Sequence, residues 1–111
     1  MNKRRRTEVK KAIIDLQKIK NNLSKYENIS ELIEDIEYIR IDIEMIKDDE
    51  YCAFENLPES FQYSERGERM EENVEYLEES YDSLDLDDDS SYSDIKIEIN
   101  NCIKNLNKAI E

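Results

Sequence analysis

One glycine and one proline in 111 residues constrain this chain more than any other feature. Tight turns draw on Gly, Pro and Asn at special dihedrals, and β-sandwiches and barrels need many such turns. A chain so poor in turn formers is expected to build long helices. Its length suits a single domain over residues 1–111.

The apolar spacing agrees. Val9, Ala12, Leu16, Ile19, Leu23 and Tyr26 recur at alternating steps of three and four, the period of a helical seam. Ile29, Leu32, Ile36, Ile39, Ile43, Ile46 and Ala53 continue in a second register. Between Tyr26 and Ile29 the step is three where four was due, which marks a stammer or a break. The charges favour a break. Lys18, Lys20 and Lys25 suit the negative end of one helix dipole, and Glu31, Glu34 and Asp35 the positive end of the next. Asn28 with Glu31 has the spacing of an N-cap pair. The only proline, Pro58, lies in a connector over 56–64, and Ser64 is placed to cap the next helix. Met70, Val74, Leu77, Tyr81 and Leu84 form a third seam. Ser91 and Asp94 open a fourth, through Ile95, Ile99, Cys102, Leu106 and Ala109 or Ile110.

The expected organisation is a basic tail at 1–7 and helices at 8–27, 30–55, 65–86 and 92–110. Short alternations at Ile39, Ile41, Ile43 and at Ile95, Ile97, Ile99 are read as helix, because helical spacing surrounds them. Tyr38, Ile41 and Met45 make a second stripe beside the main seam, which points to burial on two sides. The fold class is all-α: an antiparallel helical hairpin of long kinked arms, or a four-helix bundle made by fold-back or dimerisation. The second stripe tilts the reading toward long arms that form a homodimer. Cys52 and Cys102 lie beyond disulfide reach in a straight hairpin and can approach in a folded bundle.

Residues 50–77 carry a resemblance. The connector Asn56-Leu57-Pro58-Glu59-Ser60, the succeeding Ser64-Glu65-Arg66-Gly67 and the acidic start Glu68-Arg69-Met70-Glu71-Glu72 resemble a recurrent group of small acidic helical-hairpin proteins of Firmicutes and their phages. The resemblance implies an α-helical fold and a phage or mobile-element origin. It implies no catalytic residues.

The net charge is −13. It is unevenly placed: residues 1–11 hold six Lys or Arg and one Glu, a net of +5, which leaves −18 for the rest. Between Met70 and Ile95 there is no Lys or Arg. An acidic chain is a poor ligand for DNA, RNA or anionic lipid, whose recognition runs on cation contacts. Without histidine, and with no base to partner either cysteine, ordinary nucleophilic or acid–base catalysis is not expected. Asp87, Asp89, Ser91, Ser93 and Glu98 have the spacing of a calcium loop, but Tyr92 stands where that loop needs Gly, and no metal or cofactor is expected. No apolar run reaches membrane-spanning length and no signal-peptide core comes after Met1, so the expected location is the cytoplasm of a bacterial host, with reduced thiols.

Two surfaces stand out as partner-binding candidates. Glu71, Glu72, Glu75, Glu78, Glu79, Asp82 and Asp85 make an acidic helix face, which is either a solvated surface or a site for a protein with a basic surface. Phe54, Leu57, Phe61 and Tyr63 cluster at the connector, as an apolar plug or as a contact site. The basic residues Lys3 to Arg6 oppose the dipole of a helix start, so they read as a frayed tail or as a contact with an acidic neighbour. The expected function is a non-enzymatic inhibitor or regulator of phage origin. A nucleic-acid mimic that blocks a host defence enzyme, in the manner of anti-CRISPR proteins, is its sharpest form. The alternative is a structural coiled-coil protein that assembles with itself.

Overall fold

The computed structural model describes residues 1–111 and is all-helical. The helices are α1 (Lys3–Asn21), α2 (Ile29–Glu55), the single turn α3 (Glu59–Gln62), α4 (Glu65–Ser83) and α5 (Tyr92–Ala109), with a 3-10 turn at Leu23–Lys25. Each long helix begins at a side chain that accepts the backbone N–H three residues on, satisfying a donor the helix cannot. Asn2 accepts from Arg5, Asn28 from Glu31, Ser64 from Gly67 and Ser91 from Asp94.

α1 packs on α2, α2 on α4, α4 on α5, and α5 closes back on α1. The chain is thus an up-down four-helix bundle, 52 × 23 × 18 Å, made by one molecule folding on itself. The two breaks meet at one end, where Ser30 donates to Asp88 and the Tyr92 hydroxyl donates to the Tyr26 carbonyl. The connector, the start of α1 and the end of α5 meet at the other.

Seventeen apolar residues form one core, including Val9 and Leu16 from α1, Leu32, Ile36 and Ile43 from α2, Leu77 from α4, and Ile95, Ile99 and Leu106 from α5. Burying each of the large ones contributes roughly 1.5–3 kcal/mol. This core closes within the single chain because the arms double back, so of the expected arrangements the fold-back bundle forms and the long straight arms do not. The second stripe is not covered either. Tyr38, Ile41 and Met45 remain 64%, 48% and 61% exposed, because they lie opposite the core face of α2.

Other expectations shift by a few residues. α1 starts at Lys3 rather than 8, since Asn2 caps it, so the basic segment is helix and not a frayed tail. It ends at Asn21, and the 3-10 turn replaces its expected last turn. α4 ends at Ser83 rather than 86, before the run of Asp residues that its dipole disfavours. Its buried seam is Met70, Asn73, Leu77, Ser80 and Leu84; Val74 and Tyr81 flank it. Ala53 is likewise half-buried, and Glu50 takes the core position before it. Gly67 has a steric reason: a Cβ there would overlap the carbonyl oxygens of Phe61 and Gln62, which press against the first turn of α4.

Candidate protein-binding surface

The bundle separates charge by helix. α1 has eight Lys or Arg against two Asp or Glu, and α5 three against two; α2 has two against ten, and α4 two against eight. Because α1 neighbours α5 and α2 neighbours α4, the molecule has a cationic flank and a strongly anionic one. The sequence pattern places the acidic surface on α4 alone. Packing extends it onto α2.

Glu71, Glu72, Glu75, Glu78, Glu79, Asp82 and Asp85 are all exposed. They are not equivalent. Glu72 pairs with Arg69 at 3.3 Å, and Asp85 with Arg40 at 3.9 Å. Glu79 and Asp82 border a polar groove that also holds Lys104 and Lys108 of α5. Glu71, Glu75 and Glu78 have no cation within 4 Å and are the freest charges of the face.

The two cations of α2 are held inward against Tyr81. The Arg40 guanidinium stacks 3.9 Å from the ring centre, its Nε donates to the Tyr81 carbonyl at 3.0 Å, and it pairs with Glu37 at 3.6 Å. Lys47 sits 5.8 Å from the same ring. A hydrogen bond with Glu44 raises the Tyr81 phenol above its ordinary value. These contacts engage Arg40 within the fold and hold Lys47 near the Tyr81 ring, and with ten carboxylates on α2 and eight on α4 the anionic groups dominate the field that the α2/α4 flank presents.

At the connector, Phe54 and Leu57 are half-buried, and Phe61 and Tyr63 are 56% and 77% exposed. None of the four belongs to the core, so they do not form a plug. The exposed rings and the acidic flank lie on neighbouring parts of the surface, since α3 leads directly into α4.

Asp87 is engaged in its own turn, accepting from the Asp89 N–H at 2.9 Å and from the Ser90 hydroxyl, while Ser91 caps α5. Cys102 is sealed in the core, where burial pushes its thiol up to about 12, whereas Cys52 is exposed near the connector. Both cysteines are free thiols in the folded bundle.

No protein family model, curated protein or solved structure matches the chain. No helix is long and apolar enough to cross a membrane.

A polar layer is not evident from the apolar spacing. Arg5, Glu50 and Asn73 occupy core positions of α1, α2 and α4 at the connector end, at 9%, 0% and 1% exposure. The Glu50 carboxylate lies 3.3 Å from the Arg5 guanidinium and 3.8 Å from the Met1 ammonium, and accepts from Asn73 at 3.3 Å. Burial lowers the Met1 ammonium below its usual value, with Glu50 acting against the shift. A signal does exist in the sequence: Arg5 stands four before Val9, and Glu50 four after Ile46, each filling a core position of its seam.

Proposed function

We propose that this protein is a non-enzymatic, acidic protein-binding inhibitor or regulator of phage or mobile-element origin, acting in the cytoplasm of a bacterial host. Its working surface is the α2/α4 flank, with the exposed connector rings beside it, and its partner is a protein with a basic surface. The observation that carries this reading is the separation of charge between helix pairs. A chain that needs acidity only for solubility gains nothing from gathering its carboxylates on two adjacent helices and turning the cations of α2 inward. A rigid rod 52 Å long with carboxylates along one flank matches what a cationic nucleic-acid groove accepts. The sharpest form of the proposal is therefore mimicry of nucleic acid toward a host defence or nucleic-acid-binding enzyme. The exposed stripe Tyr38, Ile41 and Met45 runs along α2 on the outer side of the bundle and supplies apolar contact area among those charges.

The test is capture from a bacterial lysate with the intact chain and with Glu71→Lys, Glu75→Lys and Glu78→Lys combined. The expected result is a retained nucleic-acid-binding protein that duplex DNA displaces and that the triple variant does not retain. Retention that is equal for the variant and indifferent to DNA would contradict the proposal. A second reading, self-assembly as a structural coiled-coil protein, draws support from the same polarity, because the cationic α1/α5 flank of one copy complements the acidic flank of another. It calls for salt-sensitive oligomers of the isolated chain in sedimentation velocity; a monomer at both low and high salt eliminates it.

A further inference from the structure

Two exposed strips of the bundle complement each other. On α1, Lys3, Thr7, Lys10, Ile14, Gln17 and Asn21 recur at alternating steps of four and three, and every one is exposed. On α2, Glu34, Tyr38, Ile41, Met45, Asp48 and Cys52 recur in the same way, and every one is exposed. This spacing gathers side chains into one line along a helix, the pattern against which another helix packs. Each strip has an apolar centre: Ile14 on α1, 51% exposed, and Tyr38, Ile41 and Met45 on α2. Their edges carry opposite charge. Arg4, Lys11 and Lys18 border the α1 strip at steps of seven, and Asp35, Asp42 and Asp49 border the α2 strip at the same steps. These two edges lie side by side in the fold, since Arg4 pairs with Asp49 at 3.4 Å and Lys11 and Asp42 line one groove. The far edges repeat the contrast, with Arg6 and Lys20 on α1 and Glu37 and Glu44 on α2. Lys10, Lys11 and Lys18 have no carboxylate within 4 Å, and Glu34, Asp42 and Asp48 no cation.

A basic strip and an acidic strip of equal period, on neighbouring helices, define their occupant: each complements the other on a second copy. We propose that the α1/α2 face is an interface between two copies of this chain, related by a two-fold axis that runs parallel to the helices between α1 and α2. Such an axis preserves height along the bundle and exchanges the two helices. α1 of each copy then lies antiparallel on α2 of the other, and the contact closes as a dimer. Within one copy the Arg4–Asp49 pair and the groove shared by Asp15 and Asp42 set Ile14 level with Ile41. Across the interface, Ile14 of one copy therefore seats among Tyr38, Ile41 and Met45 of the other. Lys11 and Lys18 of one come opposite Asp42 and Glu34 of the other. The shared length is that of α1, 19 residues or about 28 Å, and two helices side by side are about 20 Å wide, which gives a contact of about 600 Å² on each copy, near the lower end of specific interfaces. The dimer is accordingly weak, dissociating in the micromolar range. This inference rests on the self-assembly reading and narrows it from whole flanks to α1 on α2. The carboxylates of α4 lie outside the interface, so their role toward a basic partner does not depend on it. Tyr38, Ile41 and Met45 are withheld from such a partner while two copies are paired.

The experiment is sedimentation velocity on the full chain from about 1 to 300 µM, at about 50 and 500 mM salt. A monomer–dimer equilibrium is expected, at least about tenfold weaker at the higher salt because the charge pairs are screened. Ile14→Glu, which sets an acid against the acidic strip, is expected to weaken dimerisation at least about tenfold. Its helical circular dichroism should be unchanged, since Ile14 lies outside the core. Two charge-exchanged variants test which helices meet. Lys11→Glu with Lys18→Glu, and Glu34→Lys with Asp42→Lys, are each expected to stay monomeric alone and to form a dimer when mixed in equal amounts. Both variants remain net acidic, so general attraction does not account for recovery in the mixture, and neither does a fault in the fold of one chain. A dimer indifferent to Ile14→Glu, a mixture that stays monomeric, or assembly beyond a dimer would overturn this interface while leaving self-assembly by another face. A parent chain that is monomeric throughout would overturn both.

Discussion

Replacing Glu50 by Gln tests the polar layer most severely. The substitution keeps volume and removes one charge. Arg5, whose side chain is 10% exposed, then loses its only carboxylate, and the Met1 ammonium loses its partner at 3.8 Å. Breaking a buried pair on one side leaves an uncompensated charge and costs about 3–5 kcal/mol. Because Arg5 retains slight access to water, a loss near the lower end, about 3 kcal/mol, is expected. That is a large part of the roughly 5–15 kcal/mol that holds a domain together. With a urea slope of about 1.5 kcal/mol/M, the unfolding midpoint tracked by circular dichroism at 222 nm should fall by about 2 M. Removing the layer as a whole is expected to act differently. Arg5→Met, Glu50→Leu and Asn73→Leu together remove the Arg5–Glu50 pair and leave only the Met1 ammonium, which burial already lowers and which can shed its proton; replacement of such networks by packed apolar groups is often neutral or stabilising by about 1–4 kcal/mol. The combined variant should unfold within about 1 kcal/mol of the parent chain, or above it. An unchanged midpoint for Glu50→Gln, or a combined variant as unstable as the single one, would refute the reasoning.

Three other outcomes rest on single contacts. Gly67→Ala, which elsewhere in a helix gains up to about 1 kcal/mol, should instead cost about 2 kcal/mol in urea unfolding, because its Cβ meets the Phe61 and Gln62 carbonyls. Tyr26→Phe removes the 2.7 Å hydrogen bond donated to Asp35 and should cost about 1 kcal/mol, read from the same assay. Alkaline stability should depend on Cys102. Its thiol is raised by burial from 9.0 to about 12, so the unfolded chain releases its proton first; the stability is complete below about pH 9 and is lost as pH climbs toward 12. Over that range the parent should lose up to about 4 kcal/mol more than Cys102→Ala, and parallel pH profiles for the two would contradict the assignment. The Tyr26 phenol, raised to about 12 by burial and by Asp35, leaves the variant a residual slope of the same sign.

The helices were legible in sequence because their cores repeat at steps of three and four, and because Asn28, Ser64 and Ser91 announce three of the four N-termini. The features that escaped depend on partners distant in the chain. Val74 and Tyr81 looked like core since they are apolar, yet Asn73 and Ser80 hold those places. The Asn73 amide nitrogen donates to Glu50, and the Ser80 hydroxyl to the Tyr76 carbonyl one turn back. Arg5 looked like tail because a charge at a helix start opposes the dipole, and only the position of Glu50 on α2 reverses that cost. Tyr38, Ile41 and Met45 looked like a second buried stripe, but spacing alone does not say whether a second neighbour exists. The acidic residues of α4 were evident from composition; their union with those of α2 required knowing that the two helices touch.

The central claim is that the α2/α4 flank is the working surface, and salt dependence tests it most directly. For the protein retained from lysate, affinity for the intact chain should fall at least about tenfold between about 50 and 200 mM salt, as expected when several charge pairs form across the interface. With Glu71, Glu75 and Glu78 changed to Gln, the affinity should be lower and its slope with salt shallower. An affinity that is flat in salt and unmoved by those three changes would contradict the claim.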